Sequence, residues 1–179
     1  YFVTFRQMDP LFSVDLSDPK NPKILGALKI PGFSEYLHFY GEDRLLGIGM
    51  DVDEKAQSTD GIKLTMFDIS NKADVKEADT YVLENVYSTD VSYDYKAALV
   101  DQERNLIGFA GYTQGGRHSY LFSYDDNSGF VCNMDEEING TGVLGARGVY
   151  IMEVMYVVPG HIIAAYRTDV YTKIGDLIL

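Results

Sequence analysis

Hydrophobic and polar positions alternate in short runs along most of this chain, and turn residues separate the runs. Alternation with period two predicts strands whose side chains point to opposite faces. On this reading strands lie at 1–5, 11–16, 23–30, 36–40 and 45–49, then at 62–69, 75–83, 95–100 and 106–110. They continue at 119–124, 130–135, 148–151 and 154–158, and end with 161–166 and 171–179. The punctuation has a mechanism. In Ser17-Asp18-Pro19-Lys20-Asn21-Pro22 the Asp and Asn side chains bond back to the backbone, and both prolines fix φ. Gly41-Glu42-Asp43-Arg44 reads as a hairpin turn, and Pro31-Gly32 as a break. Pro10 is expected to stay out of the ladder. The polar stretch 51–61 and Thr113-Gln114-Gly115-Gly116-Arg117 read as loops between larger units. No 3.6-residue periodicity runs beyond a turn or two, so the class is all-β.

One strand pattern recurs. Phe12-Ser13-Val14-Asp15-Leu16-Ser17 returns as Thr65-Met66-Phe67-Asp68-Ile69-Ser70, and more loosely as Tyr120-Leu121-Phe122-Ser123-Tyr124-Asp125. A strand motif repeating at about 40–55 residues is the signature of propeller blades. The face pattern agrees. In 62–69, Phe67 and Ile69 point one way while Ile62, Leu64 and Met66 point the other. A sandwich strand with one wet face alternates more cleanly; a blade strand covered on both sides does not. The expected fold is a partial β-propeller of about three four-stranded antiparallel blades plus a partial blade. The repeat units are placed at about 11–50, 62–112 and 119–158, with a partial unit at 161–179.

Several segments resemble a known family. They are Asp9-Pro10-Leu11-Phe12-Ser13-Val14-Asp15-Leu16-Ser17-Asp18-Pro19-Lys20-Asn21-Pro22-Lys23 and Leu28-Lys29-Ile30-Pro31-Gly32-Phe33-Ser34-Glu35-Tyr36-Leu37-His38. Further along are Gly61-Ile62-Lys63-Leu64-Thr65-Met66-Phe67-Asp68-Ile69-Ser70, Asp94-Tyr95-Lys96-Ala97, Arg147-Gly148-Val149-Tyr150-Ile151 and Tyr156-Val157-Val158. In order and spacing they resemble the C-terminal part of bacterial secreted proteins with a β-propeller domain distantly related to WD repeats. The resemblance implies an extracytoplasmic protein, secreted or anchored through an N-terminal part, several times longer than this chain. It implies no activity. The stretch 161–166 departs from the pattern, because it lacks the Asp of a unit's first strand.

Composition narrows the partners. The net charge of −12 opposes binding to nucleic-acid phosphates or anionic lipid, which take clustered Lys and Arg. No apolar run is long enough to insert this segment in a membrane. The chain opens in mid-strand without an initiator Met, as a segment cut from a longer protein does. The single Cys132 has no internal disulfide partner, and no basic neighbour activates it; an inert thiol is the expected state.

Candidate chemistry is sparse. Asp15 and Asp68 end strands before turns and are expected to accept backbone N–H bonds there. Asp51-Val52-Asp53-Glu54 and Asp125-Asp126-Asn127 carry closely spaced carboxylates but lack the full series of a calcium loop. His38, His118 and His161 show no metal-ligand spacing, so no metal and no cofactor is expected. Neither a nucleophile elbow nor a phosphate-binding Gly-Lys loop is present. Asn139-Gly140-Thr141 is a glycosylation sequon with meaning only in a eukaryotic secretory pathway. Loops on one blade face converge on a propeller's channel, which selects Glu35, Asp90 and Arg147, with Arg6, Asp9 and Arg117 from connectors, as ligand-binding candidates. The alternative is that they are solvated rim charges. Two function classes remain open: a non-enzymatic extracytoplasmic binding or scaffold module for a protein or glycan, and part of a propeller hydrolase or dehydrogenase whose site needs further blades. A chain with uncovered blade faces is also expected to self-associate.

Overall fold

Sixteen short strands order themselves into four antiparallel sheets in a computed structural model of the chain, which describes residues 1–3, 10–29, 31–53, 58–138 and 146–179. The sheets do not close into a barrel, and the protein is an all-β partial propeller. The chain divides into two units, residues 1–85 and 86–179, each holding two sheets.

The first unit contains β1 (Phe2–Val3), β2 (Pro10–Asp15) and β3 (Lys23–Lys29) in one sheet. Its second sheet is β4 (Phe33–Phe39), β5 (Arg44–Asp53), β6 (Ser58–Asp68) and β7 (Lys76–Leu83), paired in that order. Leu11, from the first sheet, packs with Leu45, Phe67, Ile69 and Val75 of the second, flanked by Val3 and Leu28. The sheets approach closely at Gly26, where an added Cβ would lie 2.8 Å from the Ala73 carbonyl oxygen.

The second unit begins with β8 (Ser88–Thr89), β9 (Leu99–Asp101), β10 (Leu106–Tyr112), β11 (Arg117–Asp125) and β12 (Gly129–Glu137). Both β8 and β9 pair with β10: Thr89 faces Gly111 and Leu99 faces Gly108. They are two halves of one innermost strand, interrupted by residues 90–98. Its last sheet is β13 (Arg147–Ile151), β14 (Val154–Val158), β15 (Ile162–Arg167) and β16 (Lys173–Ile178). Leu106, Ala110, Leu121 and Met134 of the first sheet bury against Met155, Val157, Ala164 and Tyr166 of the second. The void left near this contact is about 10 Å³, no more than one water occupies.

The sheets fall out of phase with the sequence repeat by two strands. The expected unit 11–50 joins β2 and β3 to β4 and β5, yet these belong to different sheets. A cyclic repeat has no intrinsic starting point, so similarity alone does not show where one blade ends. The break comes at Pro31-Gly32, where Gly32 turns the chain with φ at +82°. The short sheet is therefore the first, while 161–179 completes the last. Three local readings also change. The stretch 51–61 is mostly strand, because β5 and β6 pair as far as Asp53 and Ser58; residues 54–57 lie outside the described ones. Residues 95–97 form a 3₁₀ turn rather than a strand, since the Asp94 carboxylate caps Lys96 N–H at 3.0 Å. Pro10 does enter the ladder, opposite Lys29, but as the first residue of its strand, where a missing N–H is tolerated.

Candidate functional site

Turn carboxylates account for much of the acidic repeat. Asp15 accepts Ser17 N–H at 2.9 Å, and Asp68 accepts Ser70 N–H at 3.0 Å and the Ser70 hydroxyl at 2.6 Å. Asp125 repeats the device with Asn127 N–H at 2.9 Å and Ser128 N–H at 3.0 Å. These bonds hold all three carboxyls below the usual carboxylate range. The repeated Asp is thus a turn-shaping residue, as its place before each turn predicts.

The selected charges occupy defined places. Glu35 sits in β4, at the bulge between Ser34 and Tyr36, rather than in a loop. Asp90 opens the interruption of the innermost strand. Arg117 and Arg147 are the first residues of β11 and β13, not loop residues. Arg6 and Asp9 lie outside the described residues. The second unit brings three of the set into one neighbourhood.

Asp90 is 4% exposed. Burying a carboxylate without partners is costly, and its oxygens have them. The Tyr112 hydroxyl donates to Oδ1 at 2.7 Å, and the Ala146 backbone N–H donates to Oδ2 at 3.1 Å. Tyr112 ends β10, whereas Ala146 leads into β13, so one side chain ties together the two sheets of this unit. Arg117 donates to the Tyr112 hydroxyl, and its guanidinium lies 4.8 Å from the centre of the Tyr112 ring. Burial, and next the Asp90 carboxylate that accepts its hydroxyl, push the Tyr112 phenol above its ordinary range. Arg147 reaches the Asp94 carboxylate at 2.9 Å. These contacts position backbone and use the charges that sequence reasoning selected.

The excursion 90–98 is held from several sides. The Thr89 hydroxyl donates to the Ala110 carbonyl at 2.7 Å and accepts Val91 N–H at 3.3 Å. Val91 and Ala97 point inward and are buried. What the excursion turns outward is aromatic: Tyr93 is 86% exposed and Tyr95 69%. Tyr87, just before β8, is 55% exposed, and its hydroxyl donates to the Thr113 carbonyl at 2.5 Å. Lys96 lies 5.7 Å from the Tyr95 ring centre. The sequence does not announce this surface, because the pattern over 95–100 predicts strand where the structure has a 3₁₀ turn at Tyr95–Ala97. The Thr89 and Asp94 caps, each a short polar residue ahead of a turn, were the available signal.

Other candidates are placed without forming a site. His118 Nδ1 lies 2.6 Å from the Asp135 carboxylate, and His38 Nδ1 lies 2.8 Å from the Tyr36 hydroxyl. Asp51 lies 3.8 Å from Lys63 Nζ. Glu54 and the sequon at Asn139 lie outside the described residues. Among the described residues no group of three or more His, Cys, Asp or Glu gathers to hold a metal. Cys132 is half-buried and donates to the Met134 carbonyl at 3.4 Å, and burial pushes its thiol pKa up. Among the described residues no helix is long and apolar enough to cross a membrane.

The fold now has a family. The Beta propeller domain family matches residues 1–170. The chain belongs to the beta propeller domain family. It is 36% identical over 177 residues to an uncharacterized protein of Archaeoglobus fulgidus, covering 99% of this chain and 26% of that protein. It is 39% identical over 156 residues to an uncharacterized protein of Methanocaldococcus jannaschii, covering 87% of this chain and 23% of that protein. This propeller chain spans about a quarter of the length of the curated relatives it matches. Both relatives are archaeal, so the bacterial, WD-repeat-like character implied by the resemblance finds no support; the propeller fold does.

Proposed function

We propose that this propeller segment is a non-catalytic binding module, and that its ligand docks on the tyrosine-bearing excursion of the second unit. The observation that carries the reading is the contrast within residues 90–98. The charged candidates beside it are bonded to the protein, while Tyr93 and Tyr95 stand out into solvent on a backbone fixed by three side-chain bonds. Large aromatic faces held on a rigid backbone contribute contact at low ordering cost. The ligand class that fits is a glycan. The excursion exposes aromatic and polar side chains, while its aliphatic residues Val91 and Ala97 are buried. Tyrosine faces suit the C–H faces of sugar rings, and the Asp94–Arg147 pair offers both an acceptor and donors to hydroxyls. An extracytoplasmic location belongs to the same proposal, since glycans are presented there.

The test is an array of immobilised neutral and acidic oligosaccharides, run beside a screen of chromogenic glycosides and alcohols. Saturable array binding without turnover is the expected result. Turnover by the purified protein would instead support the enzyme reading, and binding to immobilised peptides with no glycan signal would overturn the ligand class.

A further inference from the structure

We infer that the oligosaccharide received at residues 90–98 is acidic: a uronic acid whose ring packs on Tyr93 or Tyr95 and whose carboxylate is met by Lys96 and Arg147. This rests on the binding role proposed above and adds the charge of the ligand to it. The second unit carries six Lys and Arg: Lys96, Arg104, Arg117, Arg147, Arg167 and Lys173. Four are used by the fold. Arg104 donates to Asp101 and to the Tyr150 hydroxyl, both through Nη1, at 3.0 and 3.2 Å. Arg117 donates to the Tyr112 hydroxyl, Arg167 pairs with Asp169, and Lys173 lies 2.7 Å from Asp176. The two that keep donors to offer both stand at the tyrosine excursion. Lys96 is exposed, and among the described residues its ammonium has no carboxylate or hydrogen-bond acceptor, only the Tyr95 ring at 5.7 Å. Arg147 donates through Nη2 to the Asp94 carboxylate at 2.9 Å. A guanidinium has five N–H donors, and among the described residues the others on Arg147 have no partner.

One residue sets the two cations side by side. The Asp94 carboxylate accepts Arg147 Nη2 through Oδ2 and the Lys96 backbone N–H through Oδ1 at 3.0 Å. The arginine head and the root of the lysine side chain therefore meet at the same carboxylate, and both cations help hold its pKa down, after the backbone bond that dominates. The acids of the excursion do not oppose an incoming anion. They are Asp90, which is buried and spent on Tyr112 and Ala146, and Asp94, which is matched by Arg147. The net charge of −12 repels anions from the chain as a whole, but salt at physiological strength screens exposed charges beyond about 8 Å. What a docked sugar feels is the local set. A carboxylate takes charge-assisted bonds from ammonium and guanidinium groups, while its ring lies on an aromatic face.

The experiment titrates the chain, at physiological ionic strength, with tetramers of galacturonic, glucuronic and mannuronic acid, each as the free acid and as its neutral methyl ester. Exposed cations contribute about two- to fivefold each, so the preferred acid should bind about four- to twenty-fivefold tighter than its ester. Lys96→Met and Arg147→Gln should each cut that ratio about two- to fivefold while leaving ester binding unchanged. If Arg147→Gln loses its β-sheet circular dichroism, Lys96→Met decides, since its side chain is exposed. Lys20→Met, exposed in the first unit, removes the same charge and should leave the ratio as it is. Acid and ester binding equally overturns the acidic ligand but leaves sugar binding at the excursion standing. So does a ratio that falls as far in Lys20→Met as in Lys96→Met, since net charge then sets it. No binding of either form overturns both, as does binding of a glutamate-rich peptide with no response to any uronate.

Discussion

Truncating Asp90 to Ala should loosen the second unit at one identifiable point. The substitution removes an acceptor from the Tyr112 hydroxyl at 2.7 Å and from the Ala146 N–H at 3.1 Å. Tyr112 is half-buried, so water replaces much of its bond. Ala146 is 2% exposed, and its N–H is left without a partner. A buried donor stranded in this way costs about 1–3 kcal/mol, and losing a bond to a charged acceptor adds comparably, so about 2–4 kcal/mol is expected in total. Asp90→Asn should cost less, about 1–1.5 kcal/mol, because its carbonyl still serves Ala146 while its amide donates to the Tyr112 oxygen. The local assay is hydrogen exchange at the Ala146 amide. A loss of about 3 kcal/mol corresponds to roughly 150-fold faster exchange when opening is limiting by population. Urea unfolding followed by circular dichroism gives the same order, wild type above Asn above Ala. If Asp90→Ala shifts neither exchange nor stability by more than about 0.5 kcal/mol, the tie between the sheets does not carry the role assigned to it.

Three other outcomes follow from single positions. Gly26→Ala should destabilise the first unit by about 1–3 kcal/mol, measured by urea unfolding, because its Cβ would meet the Ala73 carbonyl oxygen at 2.8 Å and backbone cannot swing aside. Met152, at the tip between β13 and β14, holds φ at +56°, so Met152→Gly should raise stability by about 0.5–1 kcal/mol in the same assay. The turn carboxylates Asp15, Asp68 and Asp125 have folded pKa values below the ordinary 3.8; their contribution is present above that value and is lost as pH falls through the lowered ones. Acid unfolding below pH 3.8 should therefore be blunted in Asp68→Asn, whose carboxylate no longer titrates, and the difference from wild type should shrink as pH falls. Unchanged pH dependence in that variant contradicts the assignment.

How far the sequence could be read depends on what each signal encodes. Alternation at 62–69 encodes faces directly, and β6 buries both, with Phe67 on one side and Leu64 on the other. Turn chemistry at Asp15 and Asp68 is equally local, so the bonds to Ser17 and Ser70 could be anticipated. Sheet boundaries could not, because a cyclic repeat looks the same wherever it is cut and Pro31-Gly32 reads as a break between strands of either kind. The choice of Glu35, Asp90 and Arg147 follows from the expected blade phase, and the three lie at the bulge of β4, in the interruption after β8 and at the first residue of β13. It did not find their partners. Asp90 is held by Ala146, a residue far along the chain with no side-chain polarity to announce it. The tyrosine surface was hidden by a competing strand pattern in 95–100, which the Asp94 cap overrides.

The most direct test of the central claim is a titration of wild type, Tyr93→Ala and Tyr95→Ala with the oligosaccharide that scores highest on the array. Both positions are exposed, so the variants should fold as wild type does. Each lost ring should cost about 0.5–1.5 kcal/mol, a two- to tenfold rise in Kd. Equal affinity in all three proteins would place the ligand elsewhere and contradict the account.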